Sequence, residues 1–212
     1  MTNFVILMMG YTATGKSTLA KRLSKSLGTD IFHSAVTRKE LNLMPSKEEA
    51  VADFFVMTGD RRKEVDKKVY SENTNRTINS LEKNRSVIID SGNFFTWQRN
   101  TIYTAVVKFR PEIIIVRTLC GEKEVMNRLS HRMKNFGKTP FDETPSIKAY
   151  ESCKIATESP DNSDSLPWGK KPTIIDYDTE KGIVKVVQGD ESSVMVKKII
   201  DAIKIKGRID IK

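Results

Sequence analysis

Cysteine is scarce in this 212-residue chain: Cys120 and Cys153 stand far apart and without C-x-x-C spacing. That excludes a disulfide framework and suits reduced thiols in a cytoplasmic protein. Histidine is equally rare, with His33 and His131 alone, too few for a zinc site. No apolar run approaches the roughly 20 residues a membrane-crossing helix needs. The N-terminal apolar run has no basic stretch before it and no small-residue cleavage site after it, which argues against a secretion signal. Aromatic residues make up 8% of the chain, and no RNA-binding motif or interleaved aromatic pattern occurs. An N-K-x-D segment of the kind that reads guanine is missing too.

What is present describes one globular domain spanning 1–212, with 38% hydrophobic and 30% charged residues, enough to bury a sizeable core. Lys and Arg outnumber Asp and Glu, 36 to 27, for a net charge of +9. Such a charge would draw polyanions, nucleotides and nucleic acid among them. Much of it lies in helix-like stretches such as Lys197, Lys198, Lys204, Lys206 and Arg208, where it reads as a solvated face.

Residues 10–17, Gly-Tyr-Thr-Ala-Thr-Gly-Lys-Ser, match G-x-x-x-x-G-K-[ST] in full, the Walker A motif or P-loop. The apolar run Phe4–Met9 precedes it as a buried strand, and Ser17 to Leu23 follow at helical spacing. In that setting Gly10 and Gly15 allow backbone angles that turn N–H groups inward around phosphate oxygens at a helix N-terminus. Gly10, Thr12, Ala13, Thr14, Gly15, Lys16, Ser17 and Thr18 are therefore the expected ATP-binding set. Lys16 would reach the terminal phosphates, and Ser17 would ligate Mg²⁺.

Further β-branched runs at 87–89, 113–116 and 173–175, with a shorter one at 31–33, alternate with helix-length segments. That alternation predicts a three-layer α/β fold with about five parallel strands. An extra strand is expected at 183–187 and a last helix over 192–205. Residues 46–84 read as two helices broken at Gly59-Asp60, an insertion that forms either an acceptor lid or a packing layer. Residues 128–147, with Pro140 and Pro145, read as a mobile lid, and 160–171 as a second loop.

Asp90 ends the run 87–89, at the strand edge where ligands of open α/β sheets bind. It would hold Mg²⁺ through water or accept the proton of an attacking hydroxyl. Phe94, Phe95 and Trp97 follow as aromatic surface or core. Arg128 and Arg132, at i and i+4, share a helix face and suit the charge of a transferring phosphoryl group. Arg38 and Arg99 are candidates for orienting an anionic acceptor.

Together, Gly10–Ser17, Ser34-Ala35-Val36-Thr37-Arg38-Lys39-Glu40-Leu41, 87–93 with Arg99 downstream, Arg-Leu-x-x-Arg at 128–132 and Ile174-Ile175-Asp176 carry a resemblance. The chain resembles the small P-loop kinases of the AAA-domain, zeta-toxin-like and polynucleotide-kinase-like group, and is similar to chloramphenicol phosphotransferase and gluconate kinase. The resemblance covers residues 3–180 and implies ATP, Mg²⁺ and transfer of the γ-phosphate to a hydroxyl. Its pattern Ser-Asp-x-x-Arg-Lys-x-Leu carries an aspartate that commonly acts as base, and this chain has Ala35 there. Either Asp90 takes over, or the acceptor is activated otherwise, or the protein is a nucleotide-binding regulatory module or slow ATPase.

Overall fold

The computed structural model describes residues 3–45, 59–134, 147–161 and 163–204. β1 (Phe4–Met9) is six consecutive apolar residues, all buried, as expected of a strand covered on both faces. It sits between β3 (Val87–Asp90) and β4 (Glu112–Leu119), with β2 (Asp30–His33) outside β3 and β5 (Thr173–Asp178) outside β4. These five strands run parallel, in the order β2-β3-β1-β4-β5. The expected extra strand is β6 (Ile183–Gln188), which pairs antiparallel with β5 and closes that edge.

Alternation along β1 separates two cores. Phe4, Ile6 and Met8 meet Leu19, Ala20 and Leu23 of α1 (Lys16–Leu27), together with the apolar stripe Val196, Ile199, Ala202 and Ile203 near the C-terminus. Val5, Leu7 and Met9 meet Tyr70, Leu81, Ile102, Tyr103 and Val106 on the opposite face. Each fully buried aliphatic side chain contributes roughly 1.5–3 kcal/mol, so β1 with its two helical layers anchors the domain.

The connecting helices are α2 (Ser34–Glu40), α3 (Asp60–Glu82), α4 (Thr96–Ala105), α5 (Glu122–Lys134), α6 (Ile147–Ala156) and α7 (Val194–Lys204). Of the insertion expected over 46–84, residues 46–58 lie outside the described residues, and the rest is the single helix α3. Its buried face mixes Val65, Val69 and Tyr70 with Asn73, Thr77 and Ser80. Two of these polar members bond across the layer, Asn73 Oδ1 accepting from Thr37 at 2.6 Å and Ser80 donating to Asp30 Oδ2 at 2.6 Å, while Thr77 donates to the Asn73 carbonyl within the helix. This described half is thus a packing layer over the sheet. Of the lid expected over 128–147, residues 128–134 are regular helix in α5, Ile147 begins α6, and 135–146 lie outside the described residues.

Candidate active site

Every parallel strand ends at the same edge of the sheet, so β1, β2, β3 and β4 deliver Gly10, His33, Asp90 and Cys120 side by side. Between β1 and α1 the loop adopts left-handed or extended positive-φ angles at Gly10 (145°), Ala13 (61°) and Gly15 (97°). Two positions demand glycine. A Cβ on Gly10 would lie 2.4 Å from Thr118 Oγ1 and 2.7 Å from the Thr118 carbonyl, and one on Gly15 would sit 3.3 Å from Thr179 Cγ2 at a strained angle. The sequence lets the chain wrap tightly here, and the resulting concave backbone is a cradle for anionic oxygens.

The loop is braced from inside and outside. Thr14, 1% exposed, donates its hydroxyl to the Tyr11 carbonyl at 2.8 Å and lies 2.7 Å from Thr118 Oγ1. Lys16 Nζ donates to the Tyr11 carbonyl at 2.9 Å, so the ammonium folds back over the loop. Thr179, at the end of β5, donates to the Thr14 carbonyl at 2.9 Å. Tyr11 stacks on Phe94 and meets Tyr150 edge-on, so the aromatic ring of the loop joins the segment after β3 to α6. Ser17 and Thr18 are exposed on the first turn of α1.

Arg128 reaches this loop from α5. Its Nη1 donates to the Ala13 carbonyl and to Thr179 Oγ1, each at 3.2 Å, while Nε donates to Glu124 at 2.8 Å. The bond from Arg128 holds the Glu124 carboxyl below its ordinary range. One turn on, Arg132 is exposed and pairs with none of the described residues. The two arginines share a helix, but only Arg128 is brought to the loop.

Asp90 is 5% exposed, and its neighbour across the β2–β3 register is His33. His33 Nδ1 lies 2.5 Å from Asp90 Oδ2, a close contact without the alignment of a hydrogen bond. After Asp90 the turn is locked: Asn93 donates its side-chain amide to the Met8 carbonyl at 2.7 Å, and its backbone N–H to Tyr70 Oη at 3.1 Å. Tyr70 Oη in turn lies 2.6 Å from Ser91 Oγ, and burial pushes the phenol well above its ordinary range. Of the following aromatics, Phe94 is buried, whereas Phe95 and Trp97 are half-buried and stack on each other.

Arg99 requires a correction. It is fully buried, and it grips Asp164 with two bonds of 2.6 and 2.9 Å while Nη1 donates to the carbonyls of Asn93, Phe94 and Glu158. Those donors are spent on tying Glu158 and Asp164 to α4, so Arg99 is a structural anchor and not an acceptor contact. Arg38 is likewise buried, 2% exposed, with Nη2 3.4 Å from Asp66 Oδ1 beneath α3. Asp176 pairs with Arg117 across β4 and β5 at 2.5 and 2.9 Å. Thr118, Thr179, Glu124 and His33 escaped the sequence reading; each lies at a strand end or one helical turn from a candidate, the place to have looked.

A family model described as AAA domain matches residues 5–146, two-thirds of the chain. The chain belongs to the AAA domain family. AAA domain membership agrees with the solved structures that share this fold. Kti12 from Chaetomium thermophilum, in complex with ADP-AlF3, is 14% identical over 94% of this chain and 96% of its own, with a TM-score of 0.60. A gluconokinase from Sinorhizobium meliloti 1021 is 13% identical over 94% and 90%, TM-score 0.53. A sugar kinase from Janibacter sp. HTCC2649 is 13% identical over 83% and 86%, TM-score 0.53. No curated protein matches. At such identities the likeness establishes the P-loop kinase-like fold for this AAA domain chain. Among the described residues no helix is long and apolar enough to cross a membrane.

Proposed function

We propose that the protein is an ATP-dependent kinase that transfers the γ-phosphate to a hydroxyl-bearing acceptor. The observation that carries this reading is the loop 10–17 cradle with Arg128 donating to its Ala13 carbonyl. Bound ATP with Mg²⁺ supplies the phosphoryl group and neutralises part of its charge. The residues fit that pair: the glycine-dependent cradle leaves no room for a Cβ at Gly10, and the Ser17 hydroxyl is exposed where the P-loop metal ligand belongs. The amides of residues 12–18 would hold phosphate oxygens at the α1 N-terminus. Lys16 would exchange the Tyr11 carbonyl for the β- and γ-phosphates. Arg128, already oriented by Glu124, would meet the negative charge that develops as the phosphoryl group moves. Arg132 would join it from the same helix face.

A second reading, a regulatory nucleotide-binding module or slow ATPase, is favoured by Ala35 alone. The two are separated by incubating the protein with γ-labelled ATP and Mg²⁺ against gluconate, glucose, adenosine, chloramphenicol and a 5′-hydroxyl oligonucleotide. Label on any acceptor supports the kinase. Label released only as inorganic phosphate, at a rate no acceptor changes, supports the second reading.

A further inference from the structure

We propose that the face formed by α1 and α7 docks the phosphate backbone of duplex nucleic acid, without regard to sequence. The chain's net charge of +9 is unevenly placed. α3 holds six cations against five anions and pairs them one helical turn apart, Lys68 with Glu64 at 2.9 Å and Arg76 with Glu72 at 2.7 Å, as a solvated helix face does. α1 differs: Lys16, Lys21, Arg22 and Lys25 stand there with no acidic residue. α7 has Lys197, Lys198 and Lys204 against Asp201 alone. The two helices therefore carry +6 of the +9, and +5 once Lys16 is assigned to the P-loop. In the sequence the α7 lysines read as a solvated face; in the fold they join those of α1 on one surface.

Both helices pack on the same side of the sheet. Leu19, Ala20 and Leu23 of α1 share one core with Val196, Ile199, Ala202 and Ile203 of α7, and Arg22 Nη2 donates to the Ile203 carbonyl at 2.9 Å. Lys21 and Lys25, one helical turn apart, are exposed opposite that core, and so are Lys197, Lys198 and Lys204, with Asp201 among them. Between the helices lies a cleft of about 490 Å³, where Lys198 and Arg85 meet Ser26, Asn84 and Ser86, with Asp201 also on its wall. Arg85 is half-exposed there while pairing with Asp30 at 3.1 Å. Cations and small polar side chains are the groups that contact phosphate oxygens. What the face lacks defines the partner further. Neither helix has an aromatic residue on which an unpaired base could stack, which leaves the sugar–phosphate backbone. A lipid surface would need an apolar face, but the α7 stripe is spent in the core, and among the described residues Val194 is the one large apolar side chain exposed on either helix. An acidic protein would be met by an apolar or aromatic centre poor in lysine, the reverse of this face.

The test is fluorescence anisotropy with a labelled DNA duplex whose 5′ ends are phosphorylated and 3′ ends blocked, so that no terminal hydroxyl can serve as a phosphoryl acceptor, between about 50 and 200 mM salt without ATP. Wild type should bind with a Kd of about 10⁻⁴ to 10⁻⁶ M near physiological salt, and the logarithm of its affinity should fall linearly with that of the salt concentration, by about 0.9 for each phosphate neutralised. The fourfold variant Lys21→Gln, Lys25→Gln, Lys197→Gln, Lys198→Gln should weaken binding at least tenfold at the lowest salt and reduce the slope by about 2 to 4. A control with the same loss of charge, Lys170→Gln, Lys171→Gln, Lys181→Gln, Lys185→Gln, removes exposed lysines outside α1 and α7 and should keep the slope within about 1 of wild type. Melting temperatures check that the variants are folded; if the fourfold variant is not, Lys21→Gln with Lys25→Gln alone should reduce the slope by about 1 to 2. Equal losses in the face variant and the control would make the attraction a matter of net charge and overturn the proposal. Wild type that does not bind the duplex at about 50 mM salt also overturns it. Vesicles of phosphatidylserine that bind wild type more tightly than the duplex does would overturn it in favour of a membrane surface.

Discussion

Arg99→Met is expected to unfold the protein more easily, and without any direct effect on catalysis. Arg99 and Asp164 are both fully buried, and two bonds of 2.6 and 2.9 Å join them. Tyr103 donates its hydroxyl to the same carboxylate at 2.7 Å, and burial, reinforced by Asp164, pushes that phenol far up and keeps it protonated. Methionine fills the space but leaves the buried Asp164 with only the neutral hydroxyls of Tyr103 and Ser163, and it abandons the carbonyls of Asn93, Phe94 and Glu158. Breaking a buried pair in this way costs about 3–5 kcal/mol. At roughly 2–4 °C per kcal/mol for a chain of this length, the melting temperature should fall by about 6–20 °C. Thermal denaturation followed by circular dichroism reads the change, and label transfer below the melting transition reads the activity. Replacing both partners with apolar residues of similar size should recover part of the loss, since no orphaned charge remains. A variant that melts within about 2 °C of wild type yet loses transfer would refute the reasoning and return Arg99 to the acceptor.

Three further outcomes follow from the geometry. Gly10→Ala places its Cβ 2.4 Å from Thr118 Oγ1 and should weaken ATP binding at least tenfold by forcing the loop outward; an unchanged affinity in a fluorescent-nucleotide titration would contradict that. Arg128→Ala should lower turnover by about 10² or more while ATP affinity changes much less, because its charge counts most as the phosphoryl group moves. Equal losses in steady-state kinetics and titration would mark it as a ground-state ligand. Glu158 is held below its ordinary range by the Thr96 hydroxyl and N–H. Its folded value lies under its unfolded one, near 4.3. The stability it adds is therefore full above that unfolded value and is lost as pH falls through the folded one. Glu158→Gln should flatten the decline of denaturant midpoint between about pH 5 and 3, and an unaltered slope would exclude this role.

The central strands were readable because they are continuous apolar runs, and the P-loop because four fixed residues stand between a strand and a helix. Position along the chain could not reveal what strand order creates. His33 and Asp90 are distant in sequence and become neighbours only through β2–β3 pairing. Thr118 and Thr179 carry no motif, and they matter because β4 and β5 end against the loop. Arg99 misled for the same reason: its spacing after Asp90 fits an active-site arginine, while its partner Asp164 lies in a loop-like segment far downstream. The sequence left 46–84 open between an acceptor lid and a packing layer; in α3, Asn73 and Ser80 are buried against matching hydroxyl and carboxylate groups of α2 and β2, and Thr77 donates to the Asn73 carbonyl of its own helix.

The kinase reading hangs on a nucleoside triphosphate held by residues 10–17. The most direct test is the melting temperature of wild type and Lys16→Ala with and without MgATP. Ligand at a hundred times its Kd stabilises the folded state by about 2.7 kcal/mol, which at this chain length is a rise of roughly 5–11 °C. The account predicts that rise for the wild type and its near-complete loss in Lys16→Ala, whose melting temperature without nucleotide should stay close to wild type. An equal rise in both proteins would place the nucleotide away from this loop and contradict the account.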